Sequence, residues 1–340
     1  MKIFAHLMVA AAIACAPVAY AKPVTVEKIT VHGTSLEGNL EGNSADRSVI
    51  VYLPPDYAAN PQKRYPVIYA LHGYSISNEI WTREIKSPAT IEAAFGAGVK
   101  DMIVVLPNSQ TVHNGSMYSN SVTTGDWEGF IARDVVAYID KNYRTIAKRE
   151  SRGLAGHSMG GYGTMRIGMK HPEVFGALYS MSPCCMSARG APPPETAAKL
   201  EALKSPEESK SLGFMERATL ATASAWSPNP KAAPFYADLP TKDGVVQPDV
   251  LARWAANAPN AMVHQYVPSL RKYKAIALDV GDRDGLKTDT EALHKILSDY
   301  GIKNSYQLYD GDHVSGVADR FQNHVLPFFD KNLSFEAKVK

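Results

Sequence analysis

Short, continuously apolar runs recur along the chain, separated by polar or helix-patterned stretches. Val24, Val26, Ile29 and Val31 alternate with polar residues and predict an opening strand. A second strand is predicted over 47–53 (RSVIVYL), stopped by Pro54 and Pro55. Further runs follow at 66–71 (PVIYAL), 102–106 (MIVVL), 153–155, 177–181 (ALYSM), 275–280 (AIALDV) and 305–309 (SYQLY). Runs this short, with no polar alternation, fit central strands covered on both faces. Between them, residues 130–142 carry Ile131, Val135, Tyr138 and Ile139 at helical spacing, and 289–300 carry Ala292, Leu293, Ile296 and Leu297. Strand and helix in alternation predict an α/β fold with a mainly parallel, doubly wound sheet. No internal repeat is visible.

The stretch from Pro183 to Lys274 breaks this rhythm. It is rich in Ala, Pro and Lys, with helix-like pieces at 195–203 and 214–225. A structureless loop of that length does not suit a compact domain, so a mostly helical cap is expected over about 184–273. The amino terminus reads differently again. Lys2, the apolar stretch from Leu7 to Val18 and the small-x-small sequence Ala19-Tyr20-Ala21 predict a signal peptide over 1–21, cleaved before Lys22. Its apolar run is shorter than the roughly 20 residues that cross a bilayer, so no stable membrane span is expected. Cys15 lacks the leucine that usually precedes a lipid-bearing cysteine. The expectation is a secreted or periplasmic chain, 22–340, with one catalytic domain.

Composition narrows the classes of function. The 340 residues are 45% hydrophobic and 21% charged, which supports a sizeable core and excludes a disordered chain. A formal charge of +2 supplies no basic field, so nucleic acid is not an expected partner. Beyond Cys15 only the adjacent Cys184 and Cys185 remain, too few for a disulfide framework. Neighbouring Cα atoms lie closer than disulfide geometry favours, so free, partly buried thiols are expected, with a vicinal redox switch as the alternative.

The chemistry concentrates at three places. Gly156-His157-Ser158-Met159-Gly160 matches Gly-x-Ser-x-Gly between a predicted strand and a predicted helix, the setting that lifts a serine hydroxyl out of a sharp turn. A serine needs a base to take its proton and an acid to orient that base. Asp310-Gly311-Asp312-His313 follows the last predicted strand and supplies His313 as base; His294 and His324 fall within helical patterns. Gly281-Asp282-Arg283-Asp284 follows the strand before it and supplies Asp284 as acid, with Asp282 in reserve and Asp279 still in the strand. The same aspartates fit a calcium loop poorly, since the first ligand would fall on Val280, and no His-Glu-x-x-His or paired Cys-x-x-Cys is present. No metal and no cofactor are expected. Acyl transfer also needs donors for the oxyanion; the N–H groups of Met159 and of Tyr74, in the turn His72-Gly73-Tyr74, are the candidates.

These blocks resemble the putative-esterase branch of the α/β-hydrolases, which holds S-formylglutathione hydrolase (esterase D), the feruloyl and acetylxylan esterases of carbohydrate esterase family one, and the trehalose mycolyltransferases. The likeness rests on YPVIYALHGY at 65–74, MYSNS at 117–121, RGLAGHSMGGYG at 152–163, HPEVFGALYSMSP at 171–183, LDVGDRDGL at 278–286 and YDGDHV at 309–314. It implies an α/β-hydrolase fold, a triad of Ser158, Asp284 and His313, oxyanion donors at Tyr74 and Met159, and Tyr118 and Ser119 beside the pocket. The implied activity is that of a serine esterase acting on a small-molecule or carbohydrate ester, here exported by its expected signal peptide. Two features depart from the group: a cytosolic S-formylglutathione hydrolase needs no export signal, and the cap carries no recognisable aromatic platform, although Trp226, Phe235, Tyr236 and Trp254 are candidates. The alternatives are an acyltransferase that passes the acyl group to a sugar or other alcohol, a peptidase, and a binding protein that has lost catalysis.

Overall fold

The computed structural model describes residues 23–337; the signal peptide expected over 1–21, with Cys15, lies outside them. Eight strands form one sheet: β1 (Thr25–His32), β2 (Asp46–Leu53), β3 (Val67–Leu71), β4 (Ile103–Pro107), β5 (Arg152–His157), β6 (Ala177–Met181), β7 (Ala275–Gly281) and β8 (Ser305–Tyr309). Their order is β1-β2-β4-β3-β5-β6-β7-β8. The β1–β2 and β2–β4 pairs are antiparallel and the remaining five are parallel. The apolar runs of the sequence therefore mark every strand of this sheet, with ends shifted by a residue or two.

Each central strand is buried on both sides because helices cover both faces. Along β3, Val67, Tyr69 and Leu71 enter one core while Ile68 and Ala70 enter the other, as the two-residue period of a strand requires. The first core is closed by the helix over 127–142 (α3) and by α4 (Met159–Lys170); the second by α1 (Asn78–Glu84), α2 (Ala89–Gly96) and the helix over 317–332 (α10).

Helix α3 begins before the expected 130, because Asp126 accepts a hydrogen bond from Gly129 N and caps the turn of Trp127. It also holds a π-helical stretch, Phe130–Val135, that the spacing of its apolar residues does not reveal. Between β6 and β7 the chain forms α5 (Pro194–Glu201), α6 (Phe214–Trp226), α7 (Pro248–Ala256) and α8 (Pro259–Leu270), with a two-residue ribbon pairing Thr241–Lys242 with Val245–Val246. Of these, α8 lies against α4 and against α9 (Lys287–Asp299), and so belongs to the layer on the sheet, whereas α6 and α7 rise over the ends of the strands. Among the described residues no helix is long and apolar enough to cross a membrane.

Candidate active site

The carboxyl ends of β3, β5, β7 and β8 converge, and each contributes one part of a polar cluster. Ser158 leaves β5 at φ 57°, ψ −115°, a conformation that an L-residue adopts only under local strain. Its backbone is held on both sides. Ser158 N–H donates to the Met181 carbonyl (3.0 Å), while its own carbonyl accepts from Tyr162 N–H (3.0 Å) and Cys184 N–H (3.1 Å). The flanking glycines are required by contact: a Cβ on Gly156 would stand 2.3 Å from the Gly160 carbonyl oxygen, and one on Gly160 only 2.1 Å from that of Leu71.

Ser158 Oγ lies 2.9 Å from His313 Nε2, and His313 Nδ1 lies 2.9 Å from Asp284 Oδ2. The second Asp284 oxygen accepts Leu286 N–H at 2.9 Å. Burial alone would raise the Asp284 carboxyl, but the His313 hydrogen bond and the Leu286 N–H together hold it below the usual carboxylate range. It stays ionised beside the imidazole. The geometry makes a relay in which Asp284 fixes the proton on Nδ1 and leaves the Nε2 lone pair facing the hydroxyl.

The reserve carboxylates are engaged elsewhere. Asp282 accepts Gly311 N–H and Arg283, tying together the loops after β7 and β8. Asp279 sits in β7, buried against Arg320 and the Tyr179 hydroxyl. Met159 is the first residue of α4, so its N–H has no acceptor within the helix. Tyr74 follows Gly73, where a Cβ would lie 3.5 Å from Ser158 Cβ, and Tyr74 shares a cavity with Ser158 and His313.

That cavity, about 400 Å³, runs from Ser158 under α6. Met117, Cys184, Trp226, Trp254 and Leu286 form its apolar walls, and Arg189 is the only lysine or arginine among its lining residues. Phe214 and Met215 stand at its rim, 60% and 57% exposed, with the Phe214 ring edge-on to Tyr74. Cys184 and Cys185 are free thiols, half-buried and buried, and both face the cavity.

Two expected pocket residues lie elsewhere. Tyr118 and Ser119 are fully buried, because Tyr118 O–H donates to the His72 carbonyl and Ser119 Oγ bonds Met117 O and Trp226 Nε1. Met117, one residue earlier, reaches the cavity instead. Of the aromatic candidates, Trp226 and Trp254 line it; Phe235 stacks on His113 in a separate, smaller cavity, and Tyr236 lines neither.

One residue went unnoticed in the sequence although it lies inside the motif. His157 Nε2–H donates to the His313 carbonyl (2.8 Å), and its ring stacks on Trp81. Burial, together with the neighbouring His313, pushes its pKa down to about 4, so it remains a neutral strut under the loop that carries the base. The only sequence signal was a titratable residue at a variable position of the motif.

Comparison with known proteins identifies the family and the fold. The family described as "Putative esterase" matches residues 43–324. An endo-1,4-beta-xylanase/feruloyl esterase of Xylanibacter ruminicola is 32% identical over 130 residues, covering 37% of this chain and 18% of that protein. An esterase of Mycobacterium tuberculosis, Rv1288, is 32% identical over 138 residues, covering 39% of this chain and 28% of that protein. Each match thus spans less than a third of the relative's length. Among solved structures, a ferulic acid esterase superposes with a TM-score of 0.66 at 22% identity, covering 92% of this chain and 99% of that one. An S-formylglutathione hydrolase from Agrobacterium tumefaciens gives 0.63 at 14% identity, covering 92% and 97%. At such identities the superpositions establish the α/β-hydrolase fold.

Proposed function

The chain belongs to the Esterase family, and on that premise we propose that it is an exported serine esterase that cleaves a carboxylic ester through an acyl-enzyme. The observation that carries this reading is the unbroken relay from Ser158 Oγ to His313 to Asp284, with 2.9 Å at each step. His313 Nε2 takes the Ser158 proton as Oγ attacks the ester carbonyl. The N–H groups of Tyr74 and Met159 hold the oxyanion, each donor contributing about 3 kcal/mol to the barrier reduction. The imidazolium, stabilised by ionised Asp284, gives its proton to the departing alcohol. Water, deprotonated by His313, then releases the acid and restores Ser158. Neither half needs a cofactor.

The cavity under α6 supports an ester whose acyl part is apolar: burying hydrocarbon against Trp226, Trp254 and Leu286 gains about 25 cal/mol per Å² removed from water. A panel of nitrophenyl esters of increasing acyl length, alongside feruloyl and acetylated sugars, tests it. Turnover that rises above that of the acetate as the chain grows is expected, with Ser158→Ala inactive but folded. A fluorophosphonate that fails to label Ser158, with no ester turned over, overturns the reading. Product analysis with an added alcohol separates hydrolysis from transfer. Amino-terminal sequencing of protein recovered outside the cytoplasm, expected to begin at Lys22, tests export.

A further inference from the structure

Tyr74 N–H reaches the reaction only if its peptide is turned toward Ser158, and the structure holds that peptide from behind. His72 is fully buried between two backbone groups. Ser109 N–H lies 2.8 Å from His72 Nε2, and the Gly73 carbonyl oxygen lies 2.8 Å from His72 Nδ1. A backbone N–H only donates, so Nε2 carries the lone pair, the proton sits on Nδ1, and Nδ1–H donates to Gly73 O. Burial keeps the ring neutral, with its pKa pushed down to about 4, which preserves this single tautomer.

The Gly73 carbonyl and the Tyr74 N–H are the two ends of one trans peptide and point in opposite directions. Fixing the oxygen on the His72 ring therefore aims the Tyr74 N–H away from that ring, and Gly73 itself stands close to Ser158, a Cβ there falling 3.5 Å from Ser158 Cβ. The preceding peptide is fixed as well, since the His72 carbonyl accepts Tyr118 O–H at 3.1 Å. Tyr118 itself is seated against Gly163, where a Cβ would overlap its ring at 2.6 Å. Arg47 completes the support from below, donating to the carbonyls of Asn108 and Gln110 on either side of Ser109.

We propose that His72 is a positioning residue for the oxyanion: its Nδ1–H locks the Gly73–Tyr74 peptide in the orientation that presents Tyr74 N–H to the transition state, with Ser109 setting the tautomer and Tyr118 steadying the peptide before it. The inference rests on the esterase reading of Ser158. It accounts for a buried histidine that the triad does not use, and for the burial of Tyr118 away from the pocket.

The test separates transition-state from ground-state binding. His72→Leu removes both hydrogen bonds, and His72→Asn keeps one donor and one acceptor. In the leucine variant kcat/KM on a nitrophenyl ester falls about 100-fold, as for loss of one oxyanion donor. Inhibition by an alkylboronic acid, whose tetrahedral adduct with Ser158 places an oxygen in the same hole, weakens by a similar factor. Binding of the carboxylic acid product stays within about threefold of wild type, on the order of 0.6 kcal/mol. His72→Asn recovers part of the loss, and Tyr118→Phe, which deletes one hydroxyl, shows the same split at smaller amplitude. A leucine variant with kcat/KM unchanged, or variants in which product binding falls in step with kcat/KM, overturns the inference while an active wild type leaves the esterase reading standing. A wild type inactive on every ester and unlabelled by fluorophosphonate overturns both. Should His72→Leu fail to fold, Tyr118→Phe and His72→Asn decide the question alone.

Discussion

Asp284 and Asp282 carry the same carboxylate two positions apart, yet only the first faces His313. Asp284→Asn is expected to lower kcat by about 10⁴-fold, because an amide no longer holds the imidazole in the working tautomer. Asp282→Asn, which loosens a loop contact, should cost less than tenfold; steady-state rates on one nitrophenyl ester rank the pair, and the reverse order would exchange their roles. The candidate residues were legible because chemistry limits which side chains serve as nucleophile, base and acid, and because each follows a strand end that the apolar runs mark. Tyr118 and Ser119 were misplaced for a reason no pattern exposes. At Met117 and Tyr118 the backbone turns through positive φ, 50° and 41°, which sends neighbouring side chains to unexpected sides. His72 and His157 also bond backbone groups 37 and 156 residues away, Ser109 N–H and the His313 carbonyl, which only the fold brings together.

The strand–turn–helix of β5 and α4 tolerates almost no added volume. Gly160→Ala would press a methyl group onto the Leu71 carbonyl and is expected to cost about 3 kcal/mol or to prevent folding. Gly190→Ala, with nothing within 4 Å, serves as the control, and urea melts of the two compare them. Helix α6 has a different task. Its exposed first residue, Phe214, adds little to the core, so Phe214→Ala should leave the melting temperature unchanged while raising KM for a long-chain ester about fivefold, roughly the 1 kcal/mol of a lost apolar contact. Titrating the variant against acyl length checks this; an equal effect on the acetyl ester would place Phe214 outside the acyl path. The inner strands were legible because burial on both faces leaves an unbroken apolar run, whereas β8, expected as a central strand, lies at the sheet's edge with Ser305, Gln307 and Leu308 exposed. The π-helical stretch in α3 was not, since its apolar residues satisfy either helix.

Across the whole molecule, protons link the buried histidines to stability. Burial pushes His72, His113 and His157 down from the ordinary 6.5 to about 4, with Arg217 assisting at His113 and His313 at His157. Between these values the unfolded chain binds protons at the three rings and the folded chain does not, so stability falls as pH drops from about 6.5 toward 4. Each ring contributes up to about 3 kcal/mol over that window, an upper figure for a buried group. Asp284, held below the usual carboxylate range, extends the loss to still lower pH. Urea midpoints measured from pH 7 to 4 should decline steadily, and a flat profile would mean that these rings are protonated inside the fold. The path of the backbone sets a further condition. Ser158 follows the fifth strand, inside the sheet, but His313 comes with the eighth, which docks at the sheet's edge. A nascent or clipped polypeptide that stops short of that strand therefore carries a hydroxyl with nothing to deprotonate it. The proposed relay thus hangs on one edge strand having paired with its neighbour, so that peeling β8 from β7 would silence the serine without touching it.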